Sequence, residues 1–188
     1  MLAALATRVA NSTFAVHTSR RFLSVTLYQY EICPFCHKAK ALLDYSKVDY
    51  EKVEVNPLTK SEIQWSKDYK KVPIAKLGNE SVFGSDDIID ALLKDPSVKS
   101  SLEKGWQGVN MNLDTFRSEN AKKWMNVAND LASLIYPNIC RTIGDSYEAF
   151  GYVNYVSAYS AWDRLTIRGF GSLAMYMAAS RIKSKWLS

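Results

Sequence analysis

Apolar and polar positions alternate over Val25-Thr26-Leu27-Tyr28-Gln29-Tyr30, a β-branched and aromatic run that predicts a short strand. After Cys36 the period changes. Ala39, Leu42 and Leu43 recur at helical spacing between Lys38 and Ser46, predicting a helix. Alternation returns over Tyr50 to Val55 as a second strand, and Asn56-Pro57 punctuates it. Leu58 to Trp65 predicts a short helix, Val72 to Leu77 a third strand, Gly78-Asn79 its turn, and Ser81 to Phe83 a fourth strand. Past Gly84, Ser85 is placed to cap a helix running to Leu93, with Asp86 and Asp87 in its first turn and Asp95-Pro96 at its end. The resulting order is β-α-β-α-β-β-α.

Residues 96–108 contain Pro96, Ser97, Ser100, Ser101, Gly105 and Gly108 and read as a linker. Beyond it, over residues 109–188, the pattern is helical throughout. Leu113, Phe116, Trp124, Val127, Leu131 and Ile135 fall on one face, and Tyr152, Tyr155, Val156, Tyr159 and Trp162 on another. A last helical segment covers Gly171 to Lys185. No run approaches the ~18 apolar residues of a spanning helix. Membrane contact is therefore expected to be peripheral at most.

Charge alters the picture only at the start of the chain. The net charge of +5 hints at nucleic acid or an anionic surface, yet residues 1–24 carry Arg8, Arg20 and Arg21 with no acid. Without them 21 basic residues face 19 acidic ones, and no basic run with interleaved aromatics exists, so a nucleic-acid partner is not expected. Residues 1–24 are rich in Ala, Ser and Thr, with Ser19-Arg20-Arg21-Phe22-Leu23-Ser24 resembling a processing region. They predict mitochondrial targeting. A plain disordered tail is the alternative, leaving a membrane-associated or cytoplasmic location.

The candidate chemistry lies where the first strand meets the first helix. Three cysteines, Cys33, Cys36 and Cys140, are too few for a secreted disulfide framework, and no second C-x-x-C or paired His completes a zinc site. At a helix N-terminus, orphan N–H groups and the helix dipole favour an anion, so Cys33 is expected to be an activated thiolate and Cys36, one turn deeper, a resolving thiol. Pro34 suits the first helical turn. Two inert buried cysteines are the alternative. Cys33-Pro34-Phe35-Cys36-His37 also matches the c-type haem attachment pattern, although a strand entering and a helix leaving fit thiol chemistry better.

Two further segments support a thiol site. Val72-Pro73 precedes a strand, where a cis Pro73 would set the Val72 backbone beside the thiol to pair with a peptide backbone; a trans edge proline is the alternative. Gly84-Ser85-Asp86-Asp87 offers N–H groups for a carboxylate and an acid for an ammonium, or else is an ordinary helix cap.

With these motifs, the element order resembles the α/β thioredoxin-like domain of glutaredoxin and of the glutathione transferase N-terminus, which makes 25–95 a glutathione-binding domain. Leu27 to Cys36, Val53-Glu54-Val55-Asn56-Pro57, Tyr69 to Ile74, Pro137-Asn138-Ile139-Cys140-Arg141-Thr142 and Ala174-Met175-Tyr176 together resemble the membrane-associated prostaglandin E synthase type 2 family. That resemblance covers about residues 25 to 185. It implies a following all-α, glutathione transferase C-terminal-like domain over 109–188, isomerisation of the lipid endoperoxide prostaglandin H2 to prostaglandin E2, glutathione as cofactor, haem as a possible second one, and a homodimer. It carries over Tyr30, Cys33 and Cys36 as catalytic residues, Tyr30 as a hydrogen-bond partner of the thiolate. Phe35, Val72, Pro73, Ser85 and Asp86 fall to the glutathione site.

Two departures from the family carry expectations of their own. Gly84 stands where the family places an acid, moving the ammonium partner to Asp86. The chain stops at Trp186-Leu187-Ser188, before the family's last helices, so the helical domain is expected to be incomplete and to leave apolar faces uncovered. Two rival functions stay open: a glutaredoxin-like thiol-disulfide oxidoreductase, and a binding protein that keeps the fold with little catalysis.

Overall fold

The computed structural model describes residues 24–105 and 118–187. The proposed targeting segment and the positions of Leu113 and Phe116 lie outside them. In the first half, β1 (Val25–Gln29), α1 (Pro34–Tyr45), β2 (Tyr50–Glu54), β3 (Ile74–Leu77), β4 (Glu80–Phe83) and α2 (Ser85–Leu92) follow the predicted order. The sheet runs β2-β1-β3-β4. β1 pairs parallel with β2 from Val25↔Tyr50 to Gln29↔Glu54 and antiparallel with β3, which in turn pairs antiparallel with β4.

The alternation read along β1 is what seats it. Val25 and Leu27 point to one face, where Ala39 and Leu43 of α1, Ala75 of β3, and Ile88 and Leu92 of α2 bury them. Each such buried aliphatic side chain contributes about 1.5–3 kcal/mol. The opposite face holds a smaller cluster of Val55, Ile63 and Ile74, covered by Tyr28, Tyr30, Tyr69, Val72 and Phe83. Over Leu58 to Trp65 the regular structure is a single 3-10 turn, Ser61–Ile63, and not a longer helix.

The expected linker is a helix over most of its length. α3 spans Pro96–Gly105, and its Val98 and Leu102 pack with Leu93. Asp95 Oδ1 accepts from the Ser97 and Val98 N–H groups at 2.7 and 3.4 Å, so Asp95-Pro96 begins this helix as cap and first-turn proline.

The second half is all helical: α4 (Glu119–Ser133), α5 (Ile135–Ile139), α6 (Ile143–Ala149), α7 (Ala161–Thr166) and α8 (Ser172–Leu187). Ser118 caps α4, Thr142 caps α6, and Ser160 with Asp163 closes a capping box on α7. The predicted helix through Tyr152 to Trp162 does not form. Phe150–Tyr155 is a 3-10 segment, and Ser160 starts a new helix after it. A π turn, Ile167–Gly171, joins α7 to α8. It sets Gly171 directly against the Phe150 ring, where a β-carbon would stand 2.9 Å from Phe150 Cε1.

The core of this half is Phe150, Val153, Tyr159 and Ile167, and α4 buries none of its residues. Trp124, Leu131, Trp162, Leu165 and Phe170 are all more than half exposed. Several polar ties bind the halves. Tyr159 Oη donates to Val55 O at 2.7 Å, Asn56 Nδ2 to Asp163 Oδ1 at 3.0 Å, and Lys38 Nζ to Asn129 Oδ1 at 2.8 Å. Among the described residues no helix is long and apolar enough to cross a membrane.

Candidate active site

Cys33 ends the β1 loop and caps α1, its backbone still extended (φ −77°, ψ 117°), with Pro34 opening the helix behind it. Its N–H donates to Tyr30 O and its carbonyl accepts from His37 N–H, both at 3.0 Å, so the loop is pinned on both sides of the sulfur. Cys36, three residues on, is fully buried.

These positions divide the two thiols chemically. Cys33 is lowered from 9.0 to about 7, chiefly by the Cys36 thiol acting as hydrogen-bond donor, with the Cys36 and Phe35 N–H groups and the Tyr136 hydroxyl adding to it against burial. Cys36 moves the other way. Its role as donor to Cys33, its burial and the neighbouring charge all favour the protonated thiol. Near pH 7 Cys33 therefore stands close to the midpoint between thiol and thiolate, while Cys36 keeps its proton. Cys33 is itself largely buried, and it lines a cavity.

That cavity has a volume of about 280 Å3. Tyr30, Cys33, Phe35 and Val72 line it together, as does Ile32. Lys60, Lys70 and Lys71 border it with three cations, and Tyr136, Phe150, Tyr152 and Met175 close it from the helical half. Val72-Pro73 is a cis peptide. Burial and the adjacent thiols push Tyr30 up to about 12, so it stays a neutral phenol.

Four of the anticipated residues stand outside this lining: Cys36, Pro73, Ser85 and Asp86. The start of α2 is nevertheless tied to Pro73, whose carbonyl accepts from Gly84 N–H at 3.0 Å. Gly84 has φ +87°, a conformation L side chains rarely adopt, which accounts for glycine where the family has an acid. Asp86 already has partners on both oxygens. Lys38 ion-pairs with Oδ1, and Asn129 Nδ2 donates to Oδ2 at 3.0 Å.

Tyr136 of α5 lines the same cavity as Tyr30 and Cys33, and its hydroxyl adds to the lowering of the Cys33 thiol. Burial and the Cys33 anion together hold Tyr136 well above the ordinary tyrosine range, so it is a donor at all physiological pH. Nothing local marks this residue. It sits in the run Leu134-Ile135-Tyr136, and only tertiary packing brings it to the cavity that Cys33 lines.

Covalently attached haem does not fit these residues. Attachment would need both cysteines accessible, whereas Cys36 is fully buried and His37 Nε2 lies 2.7 Å from the Glu31 carbonyl oxygen.

A parallel and antiparallel four-stranded sheet, a helix-capping thiolate and a cis-proline loop beside it define a thioredoxin-fold thiol protein. The comparisons agree: residues 27–100 match the glutathione S-transferase N-terminal domain, and the chain belongs to the glutathione transferase and glutaredoxin-like family. Within that family it is similar to prostaglandin E synthase 2. It is 32% identical over 197 residues to the Danio rerio protein, covering 87% of this chain and 52% of the relative, and 31% identical over 198 residues to the Mus musculus protein, covering 87% and 51%. Glutaredoxin 1 of Rickettsia prowazekii is 39% identical over 71 residues, 36% of this chain and 75% of that protein. The chain spans about half the length of the prostaglandin E synthase 2 relatives it matches.

Proposed function

We propose that this chain is a glutathione-associated isomerase acting on a lipid endoperoxide, converting prostaglandin H2 to prostaglandin E2, with Cys33 as the reacting thiolate. One observation carries the reading: Cys33, its thiol held low, shares a cavity with Ile32, Phe35, Phe150, Tyr152 and Met175, an apolar stretch of lining that suits an apolar peroxide.

The chemistry follows from the sulfur. The Cys33 thiolate attacks one oxygen of the endoperoxide, an S–O bond forms, and the O–O bond breaks. The second oxygen leaves as an alkoxide, and the Tyr136 hydroxyl is placed to protonate it. Loss of the proton on the carbon bearing the first oxygen then forms the ketone and expels the thiolate, so the net change is an isomerisation.

Glutathione fits the same chamber. Lys60, Lys70 and Lys71 supply cations for its carboxylates, and the Val72 backbone lies beside Cys33 for its peptide groups. When bound it supplies a second thiol and helps to fill the polar end of the site. The lipid substrate, supported by the relatives' names, and a mitochondrial setting, supported by the composition of residues 1–24, complete this reading, to which a homodimer and peripheral membrane contact belong as parts still to be tested.

The test is turnover of the purified full chain on the endoperoxide. Cys33→Ser is expected to abolish isomerisation, and unchanged turnover would retire the proposal. A second reading, glutathione-dependent disulfide reduction, is favoured by the division of the Cys33 and Cys36 thiols and by the glutaredoxin match. Reduction of hydroxyethyl disulfide faster than endoperoxide turnover would establish that reading instead.

A further inference from the structure

The isomerisation derived above asks nothing of the loop that carries the chain from β1 to Cys33, yet one residue of it is fastened at every polar atom. Glu31 N–H donates to Glu54 Oε1 of β2 at 2.8 Å, and its carbonyl accepts from His37 Nε2 of α1 at 2.7 Å. Its carboxylate accepts twice, from Gln29 Nε2 of β1 at 2.7 Å and from Lys40 Nζ of α1 at 3.1 Å. Gln29 Nε2 reaches Glu54 Oε2 as well, at 3.2 Å, so the two acids share one amide. Three elements therefore meet on a loop residue two positions ahead of the sulfur.

We infer that Glu31 is a positioning residue for Cys33, holding the loop so that the sulfur stays at the N-terminus of α1. This rests on the preceding reading only in taking Cys33 as the reacting thiol, and it holds whichever substrate that thiol meets. Packing explains part of the cluster: Lys40 and Gln29 are buried, and a buried ammonium needs an acid. Any nearby carboxylate would satisfy Lys40. Only one in the loop can also fix the sulfur. His37 completes the grip, because its backbone N–H donates to the Cys33 carbonyl at 3.0 Å while its ring donates to the Glu31 carbonyl, so one helical residue spans both.

Placement matters here because what favours the anion is short-ranged. The pull of a helix N-terminus fades within the first turn, and an N–H group loses its hold on an acceptor steeply as their alignment fails. A loop that swings away from the first turn of α1 therefore returns the thiol toward the ordinary cysteine range. Glu31 itself forms and breaks no bond. Its own negative charge opposes the thiolate, so charge and placement predict opposite signs when it is removed: loss of the charge alone eases ionisation of Cys33, and loss of the placement hinders it.

The experiment is the pH profile of iodoacetamide alkylation in the purified full chain, with the modified Cys33 peptide identified by mass and urea unfolding followed on the same samples. Glu31→Gln keeps the shape and removes the charge, turning an NH2 group toward the Lys40 ammonium or the Gln29 amide. Its midpoint is expected to rise by about half a pH unit, so that alkylation at pH 6 slows about threefold and the profiles meet above pH 9. Glu51→Gln, at an exposed acid of β2 paired opposite Thr26, is expected to leave the midpoint unmoved. The double variant E31K/K40E restores the ion pair with its charges exchanged, and Gln29 Oε1, buried and without a hydrogen-bond partner among the described residues, can accept from the introduced lysine. Its midpoint is expected to return to the native one.

A Glu31→Gln midpoint at or below the native one would overturn the inference, because charge alone then accounts for the result. A lowered urea midpoint with an unmoved pH profile would overturn it equally, as the mark of a purely structural acid. Should that variant fail to fold, the charge-exchanged pair decides, a native profile supporting the assignment and a raised one refuting it. Alkylation involves no substrate, which keeps the positioning role apart from the isomerase. A raised midpoint in Glu31→Gln, with no endoperoxide turnover by the native chain, refutes the isomerase alone. Turnover that Cys33→Ser abolishes, with an unmoved midpoint in Glu31→Gln, refutes the positioning role alone.

Discussion

The two halves of this molecule bury their apolar residues to very different degrees. In the first, Leu27, Leu43, Ile74, Ile88 and Leu92 are wholly enclosed between a sheet and its helices. In the second, α4 encloses nothing, and Trp124, Leu131, Trp162, Leu165 and Phe170 face outward. The difference shows a division of labour: a closed core fixes the sulfur at the start of α1, and a sparser helical layer supplies the walls that decide what reaches it. Rigidity is needed where protons and bonds move, and less of it where a flexible lipid must be accommodated.

Substitutions can break that comparison, beginning with the largest effect. Cys33→Ser should lower endoperoxide turnover by at least about 10³-fold, since it removes the nucleophile supplied by the first half. Leu27→Ala should cost about 2–5 kcal/mol in urea unfolding, because the site is closed on every side and a cavity remains. An effect below 1 kcal/mol there would mean that the first core is not the stabilising one.

Tyr136→Phe tests the crossing point between the halves. Alkylation of Cys33 should follow a midpoint near pH 7 in the native chain, slowing below it as the sulfur gains a proton. Removing the hydroxyl withdraws a donor from the anion, so the midpoint must move upward. At pH 6 the variant should alkylate about two- to threefold more slowly, and above pH 9 the two rates should converge. Identical profiles would show that the helical half does not touch the thiol electrostatically. Smallest of all, Leu131→Ser, on an outward face of α4, should change unfolding by no more than about 0.5 kcal/mol.

Much of the first half was legible because its signals are local. The alternation of Val25 to Gln29 set the strand and its buried face, and Cys-Pro at its end set the helix start. Gly84 before Ser85 marked α2 through a backbone angle that glycine tolerates. Asp95-Pro96 shows the limit of such signals: the same dipeptide ends one helix and caps the next, and only the burial of Val98 and Leu102 reveals which continuation holds. The helical half gave up less. Tyr152 to Trp162 carries apolar residues at helical spacing, but Gly151 and the β-branched Val153 and Val156 weaken it, and packing of Phe150 and Val153 under Ile167 selects a tighter turn. Tyr136, Phe150, Tyr152 and Met175 were invisible as site residues because their nearness to Cys33 comes from tertiary packing alone.

Gly171 has an influence that extends past its own turn of helix. The Phe150 ring can rest where it does because nothing projects from that α-carbon, and the same residue lines the chamber in front of the sulfur. A methyl group added there would force that ring to shift, so the gauge of the reaction vessel depends on a position that never meets its contents.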